Sequence, residues 1–463
     1  MSMPRIMLAG THSGVGKTTL TTALLAALTR KGYRVQPFKV GPDYIDPGYH
    51  KLATGRFSRN LDSWMLGEDG VRELFARSAV TGDFSVIEGV MGLYDGASST
   101  NDFGSSAHVA KILKTPVILV LDVKSMARSA AAVVLGYLKL DPEVPVAGII
   151  LNKVGGYSHY QIVKEAIESQ CDVPIVGYLL KNKVVEMPER HLGLVPTGEN
   201  GTLGAALEAL VEEISKTIDL NMIIEIARSA KPLEVSFSGV VFPEKKAAAK
   251  VKIAYALDEA FNFYYRDGLE LLEAFGARLV PFSPLKDKSL PPDIGGVYIG
   301  GGFPEMFLEG LAANTAMMDS LREAHQQGMP IYAECGGLMY LTRAIIDFQG
   351  NKYPMVGLVP GVCRMQQRLA AMGYVTACSN GNNVLAGQGE QYRGHEFHYS
   401  TLEVEDSQFP WALELTKNRG GSVKEEGYAA GNLLASYVHV HFGSNPRLAR
   451  NFVDKCGGRN NYE

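Results

Sequence analysis

The chain has 463 residues, of which 46% are hydrophobic and 20% are charged, and this length suggests more than one domain. The composition is that of a folded protein and excludes the disordered and fibrous classes. A formal charge of −4, without a basic run, argues against a nucleic-acid partner. Five scattered cysteines without a CxxC pair argue against a disulfide framework, and no apolar run approaches the ~20 residues of a membrane helix. We therefore expect a cytoplasmic protein that binds neither nucleic acid nor membrane.

Short β-branched runs alternate with helical patterns in the first half of the chain. Near-continuous apolar strands separated by helices are typical of a parallel sheet that is covered on both faces. The pattern therefore predicts a doubly wound α/β domain over residues 1–240. Its predicted elements are a helix at Lys17–Thr29 and strands at Arg5–Ala9, Tyr33–Lys39, Phe84–Glu88, Pro116–Leu121, Val146–Leu151 and Ile175–Tyr178.

The charged, Ala-rich stretch at 242–252 predicts a linker or an exposed helix, and a second α/β alternation follows it. We expect a second doubly wound domain over residues 250–456, with more β pattern between about 350 and 415. Its predicted elements are a helix at Tyr264–Phe275 and strands at Lys252–Ala256, Arg278–Phe282, Gly296–Ile299, Pro330–Ala333 and Val438–Phe442.

A glycine-rich loop joins the first predicted strand to the first predicted helix, with the sequence GTHSGVGKT at 10–18. Backbone N–H groups at such a strand–helix junction cradle phosphates, the lysine neutralises them, and the following threonine reaches Mg²⁺. A glycine-rich turn without a ligand is the alternative, and the loop is one residue longer than the usual spacing. The predicted ATP-binding residues are Gly10, Ser13, Gly14, Val15, Gly16, Lys17, Thr18 and Thr19.

Acidic side chains follow other predicted strands of the first domain. Glu88 ends one strand, Asp43 and Asp46 follow another, and Asp95 lies in a Gly-rich turn. Ligands of open α/β sheets collect at the carboxyl ends of the strands, and carboxylate oxygens suit Mg²⁺. Acids in loops are usually solvated, but several at strand ends beside a phosphate loop predict a metal site.

Cys335 lies between a predicted strand and a helix, in the sequence YAECGGL. This form predicts a nucleophile elbow, and the helix N-terminus is expected to favour the thiolate. The three glycines at 300–302, which follow the predicted strand Gly296–Ile299, could offer backbone N–H groups to an oxyanion. The late strand carries His439 and His441, which would share one face, and spacing alone does not decide which is the base.

These segments resemble known families. The long phosphate loop, the segment around Lys39 and the strand that ends in Glu88 resemble the dethiobiotin synthetase group, which phosphorylates carboxylates or carbamates. Cys335 followed by a downstream His resembles the class I glutamine amidotransferases. That pattern places a Glu two residues after the His, and this chain has His441 or Gly443 there. The combination, with GPDYIDP at 41–47, EGVMGLYDG at 88–96 and GHEFHYS at 394–400, resembles the cobyrinic and cobyric acid amidating family.

The resemblance implies amidation of the a and c acetate carboxylates of cobyrinic acid through acyl phosphates, with two ATP, two L-glutamine and Mg²⁺. It implies Cys335 as nucleophile, His439 as base, and Gly302 and Gly336 as oxyanion donors. It implies metal ligands at Thr18, Asp43 and Glu88, and roles in phosphate transfer or substrate binding for Lys39, Asp46 and Asp95. Nickel sirohydrochlorin, hydrogenobyrinic acid and a regulatory ATPase with an inactive amidotransferase domain are alternatives. A homodimer stays open.

Overall fold

The computed structural model describes residues 3–181, 189–190, 193–194, 203–234, 239–418, 420 and 422–458. The chain divides into two compact units: an N-terminal unit, Met1–Ser238, and a C-terminal unit, Gly239–Glu463. Within the described part of the chain, no helix combines the length and the apolar character that a membrane crossing requires.

The N-terminal unit is built on a seven-stranded parallel sheet with the strand order β3-β2-β4-β1-β5-β6-β7. All six residues of β1 are buried, because helices cover both faces of the sheet. The predicted doubly wound fold is confirmed here. The strands are β1 Arg5–Gly10, β2 Val35–Val40, β3 Arg59–Leu61, β4 Phe84–Gly92, β5 Val117–Asp122, β6 Val146–Val154 and β7 Ile175–Leu180, with a short pair β8 Glu189–Arg190 and β9 Gly193–Leu194.

The helices of this unit are α1 Lys17–Arg30, α2 Asp46–Thr54, α3 Ser63–Ala79, α4 Ser106–Ile112, α5 Ser129–Leu140, α6 Tyr157–Glu168, α7 Leu203–Thr217 and α8 Leu220–Arg228. The helices α1 to α6 connect successive strands of the sheet, and α7 and α8 follow the last strands of the unit. The chain leaves β1 for β2, returns to β4 beside β1, and then continues to β5 on the other side of β1. This reversal opens a crevice at the carboxyl ends of β1 and β4, where α/β sheets bind ligands.

The side chain of Arg5, the first residue of β1, is fully buried and binds backbone carbonyl groups. Arg5 donates from Nε to Leu113 O at 2.8 Å, from Nη1 to Met3 O at 2.9 Å and from Nη2 to Lys231 O at 2.6 Å. Its guanidinium binds carbonyls from three separate segments, and its removal would take a donor from the buried carbonyls of Met3 and Leu113.

We expect Arg5→Met to lower the free energy of unfolding of the N-terminal unit by about 3 kcal/mol, because it orphans buried carbonyl groups. The measurement is urea unfolding followed by Trp64 fluorescence in a Trp411→Phe background. Trp64 is buried in the N-terminal unit, and Trp411 lies in the other unit. An unchanged urea midpoint would contradict this role of Arg5.

The C-terminal unit is built on a ten-stranded sheet with the order β12-β10-β13-β15-β24-β23-β22-β19-β20-β25. Its first five strands are parallel, and the others extend the sheet by antiparallel pairing. The strands are β10 Val251–Ala256, β11 Phe261–Phe263, β12 Ala277–Phe282, β13 Gly296–Ile299, β14 Gly301–Gly302, β15 Ile331–Glu334, β16 Thr342–Ile346, β17 Lys352–Pro354, β18 Val359–Met365, β19 Ala371–Ser379, β20 Gln391–His398, β21 Ser400–Glu403, β22 Trp411–Lys417, β23 Lys424–Ala430, β24 Leu433–Ser436 and β25 His439–Val440.

The helices of this unit are α9 Arg266–Ala274, α10 Leu308–Ala313, α11 Thr315–Gln326, α12 Gly336–Leu341 and α13 Pro446–Gly457. The strands β16, β17, β18 and β21 form a separate sheet, and β11 pairs with β14. The main sheet is therefore parallel where it carries the predicted elbow, while the β-rich stretch after residue 350 supplies the antiparallel part.

Two local predictions in this unit are corrected by the structure. The stretch from Phe242 to the start of β10 contains no helix, so the exposed-helix alternative is wrong there. The last strand is also shorter than predicted, because β25 ends at Val440 and residues 442–444 form a single helical turn. His441 therefore caps that turn and does not share one strand face with His439.

Candidate functional site

The phosphate loop lies between β1 and α1, as its sequence predicts. Gly16 has a φ of +94°, in the left-handed region that favours glycine. A Cβ on Gly10 would lie 2.3 Å from a methyl carbon of Val15, and one on Gly16 would lie 2.3 Å from the amide nitrogen of Asn152. Asn152, at the end of β6, also donates to Val15 O at 2.7 Å. The close packing explains why these loop positions are glycine.

The side chain of Lys17 lies folded against this loop. Its Nζ donates to Met91 O at 2.6 Å and to His12 O at 3.2 Å. Burial, together with the charge of nearby Lys39, lowers the pKa of Lys17 to about 8. Two carbonyl oxygens thus hold the ammonium group, and phosphate oxygens could replace them as acceptors.

Oxygen ligands and a lysine meet at the ends of β2 and β4. The Thr18 hydroxyl donates to Glu88 Oε1 at 2.7 Å and to Asp46 Oδ2 at 3.2 Å. Lys39 Nζ lies 2.6 Å from Asp46 Oδ2, 2.9 Å from Glu88 Oε1 and 3.8 Å from Asp43 Oδ2. The structure therefore brings five of the predicted residues into one cluster.

The charges in this cluster are strongly coupled. Burial favours the neutral amine of Lys39, but the carboxylates of Asp46 and Glu88 outweigh burial and raise its pKa. Burial opposes the ionised form of Glu88, but Lys39 and His50 together outweigh burial and lower the pKa of Glu88 below its usual range. Burial raises the pKa of Asp46, and the neighbouring carboxylates add to that effect. Glu88 is therefore the carboxylate that stays ionised.

The donor set fits Mg²⁺, which prefers hard oxygen ligands and needs only one or two carboxylates when it binds together with phosphates. Among the described residues, no three His, Cys, Asp or Glu side chains form a closed metal cage. The Thr18 hydroxyl and the Glu88 carboxylate, 2.7 Å apart at the loop, could serve as ligands of a nucleotide-bound Mg²⁺.

One further residue of this cluster, His50, was not found by the sequence analysis. His50 is fully buried, with Nε2 2.7 Å from Glu88 Oε2 and Nδ1 3.0 Å from the Ser58 hydroxyl. It lies four residues after Asp46 on α2, so helical spacing could have placed both on one face.

The predicted residue Asp95 is exposed. It accepts a hydrogen bond from Gly92 N at 3.0 Å, which shapes the turn after β4.

Cys335 occupies the predicted sharp turn between β15 and α12. Its φ is +47°, its backbone N–H donates to Ser436 O at 2.7 Å, and its side chain is buried. A Cβ on Gly337 would lie 2.3 Å from Ile299 O, and one on Gly336 would lie 3.1 Å from Gly302 N. The backbones at Gly302 and Gly336 thus lie side by side, as a pair of oxyanion donors requires.

The two candidate histidines have different surroundings. The ring of His439 stacks on His395 with centroids 4.9 Å apart, and a Cβ on Gly301 would lie 2.5 Å from its Cε1. His441 Nδ1 accepts a hydrogen bond from Gly443 N at 3.0 Å, and its ring packs on Tyr265. His439 therefore lies against the glycine strand that leads to Gly302.

The thiol and the imidazoles are neutral in the free protein. Burial raises the pKa of the Cys335 thiol, and the carboxylate of Glu305 raises it further. Burial lowers the pKa of His439 well below its usual range, and that of His441 to about 3. The backbone N–H of Gly336 at the start of α12 favours the thiolate, as expected, but burial outweighs it. A neutral imidazole beside the thiol could take its proton and so form the thiolate.

Comparisons with known proteins agree with both units. Residues 6–195 match a family model for the CobQ/CobB/MinD/ParA nucleotide binding domain, and residues 252–447 match one for the CobB/CobQ-like glutamine amidotransferase domain. The chain is 49% identical to a cobyrinate a,c-diamide synthase of Dehalococcoides mccartyi and 49% identical to one of Priestia megaterium, each over 98% of both chains. One from Methanobrevibacter smithii is 43% identical over 97% of this chain and 98% of that one.

These matches confirm the family that the motifs predict, and they cover both units. The chain belongs to the cobyrinate a,c-diamide synthase family.

Proposed function

We propose that this chain converts the a and c acetate carboxylates of cobyrinic acid to amides, using ATP and the amide nitrogen of L-glutamine. The observation that carries the proposal is 49% identity over 98% of the chain to an enzyme named for this product. Both sites support it, because the phosphate loop with its oxygen cluster and the Cys335 elbow are intact. A regulatory ATPase with an inactive amidotransferase domain would not require this elbow.

The first half-reaction is assigned to the N-terminal unit. An oxygen of the substrate carboxylate attacks the γ-phosphorus of ATP, ADP leaves, and an acyl phosphate forms. Lys17 holds the transferring phosphate, and Lys39, Asp46 and Asp95 are assigned to phosphate transfer or substrate binding. Mg²⁺, held by Thr18, Asp43 and Glu88, would neutralise the phosphate charge.

The second half-reaction is assigned to the C-terminal unit. Cys335 Sγ attacks the glutamine carboxamide carbon while His439 takes the thiol proton. The backbone N–H groups of Gly302 and Gly336 stabilise the oxyanion, and His439 returns the proton to the leaving ammonia. Water then releases glutamate from the thioester. The ammonia attacks the acyl phosphate carbon, and inorganic phosphate leaves with one oxygen of the original carboxylate.

The remaining expectations are part of this proposal. We assign the ATP-dependent half-reaction to a domain at residues 1–240 and the glutamine-dependent one to a domain at 250–456. The five cysteines, which are all free thiols, support a cytoplasmic location. A homodimer stays open and is tested by light scattering.

The substrate is tested by supplying cobyrinic acid, hydrogenobyrinic acid or nickel sirohydrochlorin with ATP, Mg²⁺ and glutamine. We expect the diamide of cobyrinic acid to form with the highest kcat/KM, as measured by mass spectrometry. Turnover of nickel sirohydrochlorin alone would place the chain in a different tetrapyrrole route, and release of phosphate without any amide would contradict the proposal.

A further inference from the structure

The amidotransferase pattern places a glutamate two residues after the catalytic histidine, and this chain has His441 there. A different carboxylate faces the histidine. Glu334, the residue before the nucleophile, lies with Oε2 3.8 Å from His439 Nδ1. Both side chains are almost fully buried, with 1% and 2% exposure. A carboxylate enclosed beside an imidazole is costly unless it supports a specific interaction.

Hydrogen bonds hold the Glu334 carboxylate in this place. Its Oε1 accepts from the Tyr332 hydroxyl at 2.6 Å and from Val440 N at 3.2 Å. Val440 follows His439 on β25, so the second bond ties the carboxylate to the strand that carries the imidazole. Tyr332 lies two residues before Glu334 on β15, and its ring stacks on Tyr298. Because Oε1 accepts both of these hydrogen bonds, the other carboxylate oxygen, Oε2, is the one that faces His439.

We propose that Glu334 is a positioning residue for glutamine hydrolysis, whose Oε2 accepts the Nδ1–H of His439 and so leaves Nε2 to take the thiol proton. The inference rests on the proposed function. The separation is 3.8 Å in the free enzyme, and we expect it to close to a hydrogen bond when glutamine binds, before the thiol proton is transferred. Charge then strengthens the pair once His439 becomes an imidazolium. In such a triad the acid fixes the tautomer and stabilises the cation without taking the proton.

The ionisable groups around Glu334 do not change their charge near pH 7, so a change in rate at that pH reports the titration of Glu334. Burial raises the pKa of Glu334 to about 7, against hydrogen bonds from Tyr332, Val440 and Tyr298 that lower it. Burial raises the pKa values of the phenols and the thiol that face it and lowers those of the imidazoles, so all of these groups stay neutral near pH 7. They are Tyr264, Tyr298, Tyr332, Tyr392, Cys335, His395 and His439.

The test is Glu334→Gln. The glutamine oxygen must face Val440 N, so its NH₂ group faces His439 Nδ1 and selects the tautomer that cannot take a proton on Nε2. We expect glutamine-dependent kcat to fall roughly 100-fold or more while the ammonia-dependent rate is unchanged. In the wild type, kcat/KM for glutamine should rise with pH through about 7 as Glu334 ionises. That rise should be absent in the variant.

Tyr332→Phe is the matched control, because it removes a donor from Oε1 and leaves Oε2 in place. We expect it to keep glutamine-dependent kcat within about 5-fold and to keep a low-pH limb. If both variants lost the same factor in glutamine-dependent kcat, and Glu334→Gln still showed the fall in kcat/KM at low pH, Glu334 would only support the structure of the elbow. That result would overturn the inference. Retention of glutamine hydrolysis in Glu334→Gln would overturn it as well.

A measurement on the wild type does not depend on the folding of any variant. ¹⁵N NMR of histidine-labelled protein, with His439→Ala for assignment, should show the proton of His439 on Nδ1. A proton on Nε2 would overturn the inference. Wild-type protein that hydrolyses no glutamine would contradict the proposed function itself, whereas the results above contradict only the role of Glu334.

Discussion

Cys335→Ala should abolish amidation with glutamine while amidation with added ammonium continues at the wild-type rate. The thiol is the only group at the elbow that can form the glutamyl thioester, so we expect a loss of at least about 1000-fold in glutamine-dependent kcat. The ATP-dependent half-reaction uses residues of the other unit and does not need the thiol. The measurement compares diamide formation with glutamine and with ammonium chloride at pH 8.5.

Cys378→Ala is the control, because Cys378 lies half-buried on β19, away from the elbow. It should keep both activities. A Cys335→Ala protein that is correctly folded but inactive with ammonium too would show that the two units do not divide the reaction as proposed.

Glu88→Gln should show the opposite pattern, with amidation lost for both nitrogen sources and glutaminase activity retained at least in part. Glu88 is fully buried and bonded to Thr18, Lys39 and His50. Its neutral replacement removes the charge that balances Lys39 and that Mg²⁺ requires. We expect amidation to fall at least about 100-fold, as measured by ADP and diamide formation.

Asp83→Asn controls for the loss of a carboxylate in the same unit. Asp83 pairs with Arg34 at the surface, 2.6 Å apart, and takes no part in the cluster. This variant should amidate normally. If Glu88→Gln were fully active, the assignment of Glu88 to the metal would be wrong.

The sequence was sufficient for the parts of the fold that follow from local patterning. The apolar runs predict the parallel strands of both units except β3 and β24, because strands buried on both faces have few polar residues. The junctions at Lys17 and Cys335 were also readable, because glycine spacing there reports backbone crowding that the structure shows directly. The short last strand was not, since the apolar pattern continues through Phe442 after the pairing has ended.

Residues that act through contacts between distant segments could not be predicted from the sequence. His50 and Glu88 are 38 positions apart. Glu334 meets His439 because β15 pairs with β24, which sets Glu334 opposite Ser436, three residues before His439. The protonation state of Cys335 was also beyond the sequence, because burial depends on the whole core around the elbow. One signal was available: Glu334 is an acid at the end of an otherwise apolar strand, next to the nucleophile.

The central claim is that one chain joins ATP-dependent activation of a carboxylate to ammonia released from glutamine. It is tested most directly by supplying cobyrinic acid, ATP, Mg²⁺ and glutamine labelled with ¹⁵N at the amide, and weighing the product by mass spectrometry. The account predicts a diamide that carries two ¹⁵N atoms, with one ADP and one glutamate formed for each amide. A diamide without ¹⁵N, or glutamate release without any amide, would contradict it.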